Sequence, residues 1–377
     1  MLNYRIAVKA AFFINGFIYA SWSARLPRIQ EMFQADDGII SLVLLTMSLG
    51  AVVAMPFAGW VIIKNGSRRI TIVALILYTA IVTLIPLMPN LYLLGALYFS
   101  MGVVTGMLDV AINAQAVMIE QLYKRPIMTS FHAFFSLGMM LGAWSCSFFI
   151  WQHIDLLQHF FIIAATALLT TFWIGRNLIH DKPDPTAHAD GPLFRLPNAA
   201  LIGIGVIAFC CMLGEGAMTE WSANYMKNIV MAPEALAPIA LSAFAIAMAL
   251  GRTFGDAVRA RLGDKKLIVW GGLLSTTGLT LALALPHTYT TITGFLLVGL
   301  GLSTIVPIAY SIAGNTRNLP SGVGLAMVTT VGYSGFFFGP PIIGFLADSS
   351  SLRYSLIFVV VLFITMTILG LRHRPNT

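Results

Sequence analysis

Three residues that can gain or lose a proton stand inside long apolar runs: Asp109, Glu215 and His132. In hydrocarbon such a group is unfavourable unless it meets a cavity, a partner or water, so each marks a candidate proton-coupling site. Gly102, Gly106, Asp109 and Asn113 fall on one helical face at i, i+4, i+7 and i+11. Glycines there let a neighbouring backbone approach, and the acid and amide then meet the cavity. The alternative is a polar clamp between helices. At about 1.5 Å per residue, Asp109 lies roughly 16 Å along its helix, near the bilayer midplane. Glu215 is flanked by Gly214 and Gly216, a pattern that predicts a loosened helix. Glu220, beside Trp221, stands nearer the boundary, where an acid is ordinary. His132, with Ser136 one turn on, is either a group titrating near neutral pH or a structural hydrogen-bond partner.

A second set could hold a polar solute. Asn15, Tyr19 and Trp22 form an i, i+4, i+7 face, an aromatic wall with an amide that suits a polar ring such as a sugar. The same stripe also suits core packing or an interfacial anchor. Asn113 joins this set, as do Tyr310 and Asn315 near Pro307, and Tyr333. Phe336, Phe337 and Phe338 read as packing or a gate. Cys146, Cys210 and Cys211 have no metal-ligand spacing, and neither a metal nor a disulfide framework is expected. There is no HExxH, no Gly-x-Ser-x-Gly and no Walker loop. An enzyme and an ATP-driven pump are both disfavoured, and no cofactor is expected.

The elements that must position these residues follow from composition. The 377 residues are 58% hydrophobic and 10% charged, where a soluble chain carries about 25% charged residues. Runs of the roughly 20 residues needed to cross a bilayer lie near 6–27, 39–63, 70–88, 91–117, 127–150 and 156–178. Six more lie near 198–222, 236–258, 267–286, 289–313, 322–347 and 353–371. In lipid they must be helices. The first run, after Arg5 and Lys9, resembles a signal peptide but lacks a clear cleavage site, and it is kept as the first span. The net charge of +7 comes from short basic clusters between spans, not from a face or tail suited to nucleic acid. With the N-terminus inside, only Arg25, Arg28, Lys227 and Arg353 of the 22 Lys and Arg fall outside. That split predicts a multi-pass inner-membrane protein with both termini cytoplasmic.

The chain also repeats itself. Gly66 and Gly263, Gly102 and Gly299, Gly138 and Gly335, and Gly142 and Gly339 each differ by 197, and Trp22-Ser23-Ala24 recurs as Trp221-Ser222-Ala223. The polar stretch 180–197 separates the halves. The expected organisation is all-α, with twelve transmembrane helices in two six-helix bundles. Residues 1–179 form the first, 180–197 a cytoplasmic linker and 198–377 the second. Parallel six-helix repeats are one transporter plan.

Over its whole length the chain resembles the major facilitator superfamily. The loop running from Gly59 through Ile63 and Lys64 to Gly66, Arg68 and Arg69 looks like that family's cytoplasmic signature, with Ile63 where the family has an aspartate. The second half has Arg252, Asp256, Arg259, Arg261, Gly263, Lys265 and Lys266, with Ala260 at the matching position. The resemblance implies a gate at Gly59, Gly66, Arg68, Arg69, Arg252 and Asp256, its acid absent from the first half and shifted one turn in the second. Topology alone is the other account of these basic loops. Asp109-Val-Ala-Ile-Asn113 is similar to the fucose-permease-like branch and its uncharacterised inner-membrane relatives, where an acid and an asparagine at this spacing serve coupling and substrate contact. The resemblance thus implies a monomeric secondary transporter, a proton symporter of a small polar solute such as a sugar or sugar derivative. Proton-coupled efflux of amphipathic compounds is the runner-up. A membrane-embedded sensor or enzyme is a third class with no supporting motif.

Overall fold

The computed structural model describes residues 2–123, 127–181, 201–314 and 321–372. Among them the secondary structure is helical, and twelve helical spans are long and apolar enough to cross a membrane. The protein is therefore an all-α, multi-pass membrane protein. It divides into two compact units, residues 1–35 with 42–191, and residues 36–41 with 192–377.

Helices α1 (Leu2–Ser23), a short α2 (Leu26–Met32), α3 (Asp37–Asn65), α4 (Ser67–Leu84), α5 (Leu91–Tyr123), α6 (Met128–Trp151) and α7 (Leu156–Asn177) come before the linker. Their starts are set by carboxylate and amide oxygens that accept from unpaired N-terminal N–H groups. Asp36 accepts from Ile39 N at 2.7 Å, Asn90 from Leu93 N at 2.9 Å and Asp155 from Gln158 N at 2.7 Å. Glu120, near the end of α5, accepts from Ile127 N and Met128 N at 2.8 and 2.9 Å and so fixes the start of α6. Within the first unit α1 packs on α6, α7 and α5, while α4 packs on α5 and α7.

After the linker come α8 (Ile202–Asn228), α9 (Ala237–Leu262), α10 (Asp264–Ala284), α11 (Thr288–Leu302), α12 (Ile305–Gly314), α13 (Ser321–Ser349) and α14 (Leu352–Arg372). The tenth span, expected to be one helix, is broken between α11 and α12. Pro307 explains the break: it has no N–H to donate, and its ring crowds the carbonyl four residues back, that of Ser303. Helix α13 instead continues through Pro340 and Pro341. Helix α8 is unbroken at Gly214 and Gly216, contrary to the expected loosening. Those glycines make room for Phe363 and Phe336.

The 197-residue repeat has a physical basis in each unit taken separately. A methyl at Gly102 would strike the carbonyl of Met47 on α3, and one at Gly299 would strike the carbonyl of Phe244 on α9. Gly138 lies against Phe13 and Phe17 of α1, as Gly335 lies against Phe209 and Leu213 of α8. Gly66 and Gly263 both adopt a left-handed backbone, φ +82° and +76°, at the tight turns before α4 and α10. The small residues recur because the same close helix approaches and the same turn recur.

Candidate functional site

Helix α1 brings Asn15 to the middle of the 33-residue α5, where Asn15 Nδ2 donates to Asp109 Oδ1 at 3.0 Å. Asn15 is 4% exposed, whereas the Asp109 residue is exposed. None of the ion pairs seen among the described residues includes Asp109. The pairing has a chemical consequence. A carboxylate only accepts, whereas a carboxylic acid also donates, and an amide offers both a donor and an acceptor. By turning its amide, Asn15 can remain bonded to Asp109 in either protonation state. The Gly102–Gly106 stripe lies against Met47 and Ala51 of α3, so the face read from the sequence splits. Its glycines make helix contact and Asp109 turns toward α1. Asn113 donates its amide to the Asp109 backbone carbonyl at 2.8 Å, one turn back on its own helix.

The aromatic wall is divided in the same way. Trp22, expected to line a solute site, is fully buried. Its Nε1 donates to the Tyr78 hydroxyl at 3.0 Å, and its ring meets Tyr98 edge-on at 5.3 Å. It pins α1 to α4 and α5, because a buried indole N–H needs an acceptor. Tyr19, half-buried, stacks edge-on against Trp22 at 5.2 Å. His132, half-buried on α6, lies edge-on to Phe12 at 5.1 Å. Tyr78 and Tyr98 carried no sequence signal, since a tyrosine in an apolar run does not reveal its partner. Arg25, assigned to an outer loop, is 5% exposed and donates to His159 Nδ1 at 3.2 Å and to the Ile154 carbonyl at 3.0 Å.

In the second unit the embedded acid is already paired. Arg252 Nη2 of α9 lies 3.1 Å from Glu215 Oε1 and 3.4 Å from Oε2 on α8, with the two side chains 11% and 14% exposed. The guanidinium of Arg252, a residue expected at a cytoplasmic gate, thus meets the acid expected to exchange protons. Tyr310 of α12 donates from its hydroxyl to Met212 Sδ at 3.9 Å, a weak acceptor. Tyr333 of α13 is 40% exposed, with its ring 6.3 Å from that of Phe336.

The loop before α4 supplies what its sequence lacks. Asp181, which follows α7, accepts from the backbone N–H groups of Ser67 and Arg68, the latter at 3.2 Å. An anion there meets the positive end of α4. Gln115 of α5 donates to Ser67 Oγ at 2.7 Å and to the Ile179 carbonyl at 3.0 Å, and accepts from Ile179 N at 3.0 Å. Arg68 Nε donates to the Gly175 carbonyl at 2.8 Å, and Arg69 is exposed. At the matching turn, Arg259 binds Asp264 at 2.6 and 3.0 Å and the Ser311 hydroxyl at 2.9 Å. The packing of Gly59 and Ile63 and the side chain of Asp256 lie outside the described residues, as do Asn315 and linker residues 182–197.

The model of the Major Facilitator Superfamily matches residues 10–214 and 204–377. An uncharacterised MFS-type transporter of Yersinia pestis is 32% identical over 365 residues, covering 97% of this chain and 94% of that protein. Membrane protein MosC of Rhizobium meliloti is 30% identical over 378 residues, covering 98% and 91%. The glucose/mannose transporter GlcP of Bacillus subtilis is 22% identical over 379 residues, covering 96% and 91%. A solved structure of the nucleoside transporter NupG superposes with a TM-score of 0.76 at 13% identity, covering 98% of each chain. That likeness is one of fold.

Proposed function

This chain belongs to the major facilitator superfamily, and from that premise we propose that it is a proton-coupled importer of a small polar solute, a sugar or sugar derivative. It is a transporter by family. Symport, solute, inner-membrane residence and cytoplasmic termini are our reading, as is the assignment of residues 1–179 and 198–377 to two six-helix halves.

The observation that carries the coupling is the hydrogen bond from Asn15 to Asp109 across α1 and α5. A carboxyl near the middle of a span with an amide for a partner and no cation in a described ion pair has no fixed counter-charge. It can carry a proton or stand as a carboxylate and keep its contact with Asn15 in both forms. Glu215, by contrast, has Arg252 as a counter-ion. Asp109 is therefore the proton carrier, and Asn15, Tyr19 and Asn113 are the polar lining beside it. Proton loss toward the cytoplasm and solute release on the same side complete a symport step without nucleotide.

Purified protein in proteoliposomes, given a pH gradient alkaline inside, tests this with labelled neutral sugars, beginning with glucose and mannose, and with sugar acids. Gradient-driven accumulation is expected in the wild type. Asp109→Asn, fixed in the protonated form, is expected to lose accumulation and keep exchange between equal pools. Accumulation by Asp109→Asn would remove it as the coupling site and leave the polar clamp as its role.

A further inference from the structure

Resting on that transport reading, we propose that Trp22 is a positioning residue for proton coupling. Its indole, bonded to Tyr78 and edge-on to Tyr98, sets the spacing of α1 from α5 at which Asn15 reaches Asp109.

The two sides of α1 are held differently. Toward α6 the backbones touch. A methyl at Gly16 would strike the carbonyl of Phe135, and one at Gly138 or Gly142 would strike that of Phe13 or Phe17. Toward α5 long side chains bridge instead. Arg5 lies over the Tyr123 ring at 5.4 Å, Asn15 donates to Asp109 at 3.0 Å, and Trp22 meets Tyr98 edge-on at 5.3 Å. A backbone contact fixes a spacing by itself. An amide–carboxyl hydrogen bond does not, since it is confined to about 2.7–3.2 Å and is lost when the helices part. Something beside it must hold them. Of the two flanking bridges Trp22 is the nearer to Asn15, about 10 Å along the helix where Arg5 is about 15 Å. It is also fully buried, and it reaches a second helix through the bond from Nε1 to Tyr78 of α4. Helix α4 packs on α5. The stack on Tyr98 alone would let α1 slide; the directed bond to Tyr78 stops it.

Among the described residues the second unit has no such tie. Trp221, in the recurring Trp-Ser-Ala, is fully buried as well, but its Nε1 has no hydrogen-bond acceptor there. One 197-residue repeat after Tyr78 stands Ser275, whose hydroxyl donates to the Gly271 carbonyl of its own helix. Asn15 and Asp109 have no counterparts either, since Met212 and Val306 occupy those positions. A packing role alone would serve both units equally. The tie occurs instead in the unit that carries the amide and the carboxyl.

Two measurements on the full chain test this. The first reads the spacing and needs no solute. Asn15→Cys with Asp109→Cys is oxidised by copper phenanthroline in purified protein, the native cysteines being buried. Adding Tyr78→Phe or Trp22→Phe is expected to slow the cross-link about tenfold, because reactions between held groups fall steeply with misplacement. An unchanged rate overturns the proposal. The second reads coupling in proteoliposomes, with native Asn15 and Asp109 and the labelled sugar or sugar acid that the wild type accumulates. Tyr78→Phe and Trp22→Phe are each expected to lower gradient-driven accumulation about tenfold and to leave exchange between equal pools unchanged. Accumulation and exchange falling together, in proportion to the folded protein left, would make Trp22 a packing residue only. Tyr78→Phe removes a single oxygen, so both measurements stay open if Trp22→Phe does not fold. Full accumulation by Tyr78→Phe beside its loss in Asp109→Asn overturns the role of Trp22 and leaves proton-coupled import standing. If the wild type accumulates none of the solutes, the transport reading fails, and the cross-linking rate still decides whether Trp22 sets the contact.

Discussion

Asp109 and Glu215 look alike in the sequence, two carboxyls in apolar helices near glycines, and their surroundings make them different reagents. Asp109 has an amide partner that can donate or accept, whereas Glu215 has a guanidinium partner, which only donates. Asn15 therefore has a testable part of its own. Asn15→Leu removes the amide and leaves Asp109 beside an apolar surface. Gradient-driven uptake in proteoliposomes is expected to fall at least tenfold, while Asn15→Gln, which keeps an amide on a longer stem, is expected to recover part of it. Equal uptake by wild type and Asn15→Leu would show that the contact does not support coupling. Trp22 teaches the opposite lesson. It was legible as a large amphipathic residue on the Asn15 face, but its indole is occupied by Tyr78. Helical spacing could not separate a residue that lines a site from one that holds helices together, because neighbouring positions on one face point into different packing environments.

Helix ends and helix contacts show how the halves differ within a common plan. Both tight turns need glycine for a backbone at positive φ and extended ψ, +143° at Gly66 and +163° at Gly263, and forcing an L-residue into that region costs about 1–3 kcal/mol. Among the described residues nothing lies within 4 Å of a methyl added at Gly263, whereas at Gly66 such a methyl would sit 3.1 Å from Asp181 Oδ1. Gly263→Ala is thus expected to lose only the backbone term, and Gly66→Ala more, as read by thermal unfolding in detergent. Asp181→Asn weakens the charge at the start of α4 and is expected to cost about 1 kcal/mol. In the Asp181→Ala background, the cost of Gly66→Ala is expected to fall part of the way toward that of Gly263→Ala, because the carboxylate contact is gone while the Asp181 backbone carbonyl stays 3.2 Å from the added methyl. Additive effects would mean that Asp181 does not support this turn. The missing acid at Ile63 was plain in the sequence. The carboxylate at the start of α4 was not, since Asp181 lies more than a hundred residues away and meets Ser67 only after α7 packs on α4.

For the molecule as a whole, the sidedness read from Lys and Arg can be checked residue by residue. The native cysteines are all buried, so single introduced thiols report cleanly. Tyr92 and Tyr289 are 91% and 83% exposed, and Arg69 and Lys266 are exposed as well. Each pair is separated by the 197-residue repeat. In intact cells, a membrane-impermeant maleimide is expected to label Tyr92→Cys and Tyr289→Cys. It is expected to reach Arg69→Cys and Lys266→Cys only after permeabilisation. Labelling of one pair from both sides would contradict the topology.

The sequence by itself determined the class of molecule. Too few charges to coat a soluble surface, twelve apolar stretches of bilayer length and glycines repeating at one spacing leave little choice, because lipid forces backbone groups into helices and close helix contacts force small residues to recur. It also singled out Asn15, Asp109, Glu215 and Arg252 as residues out of place in an apolar run or close to a gate. What only the tertiary structure decided was pairing: Asn15 with Asp109, Glu215 with Arg252, Trp22 with Tyr78, Asp181 with the start of α4. Composition and periodicity act along a chain or around a single helix. A hydrogen bond or ion pair depends on which face of one helix meets which face of another, and packing sets that.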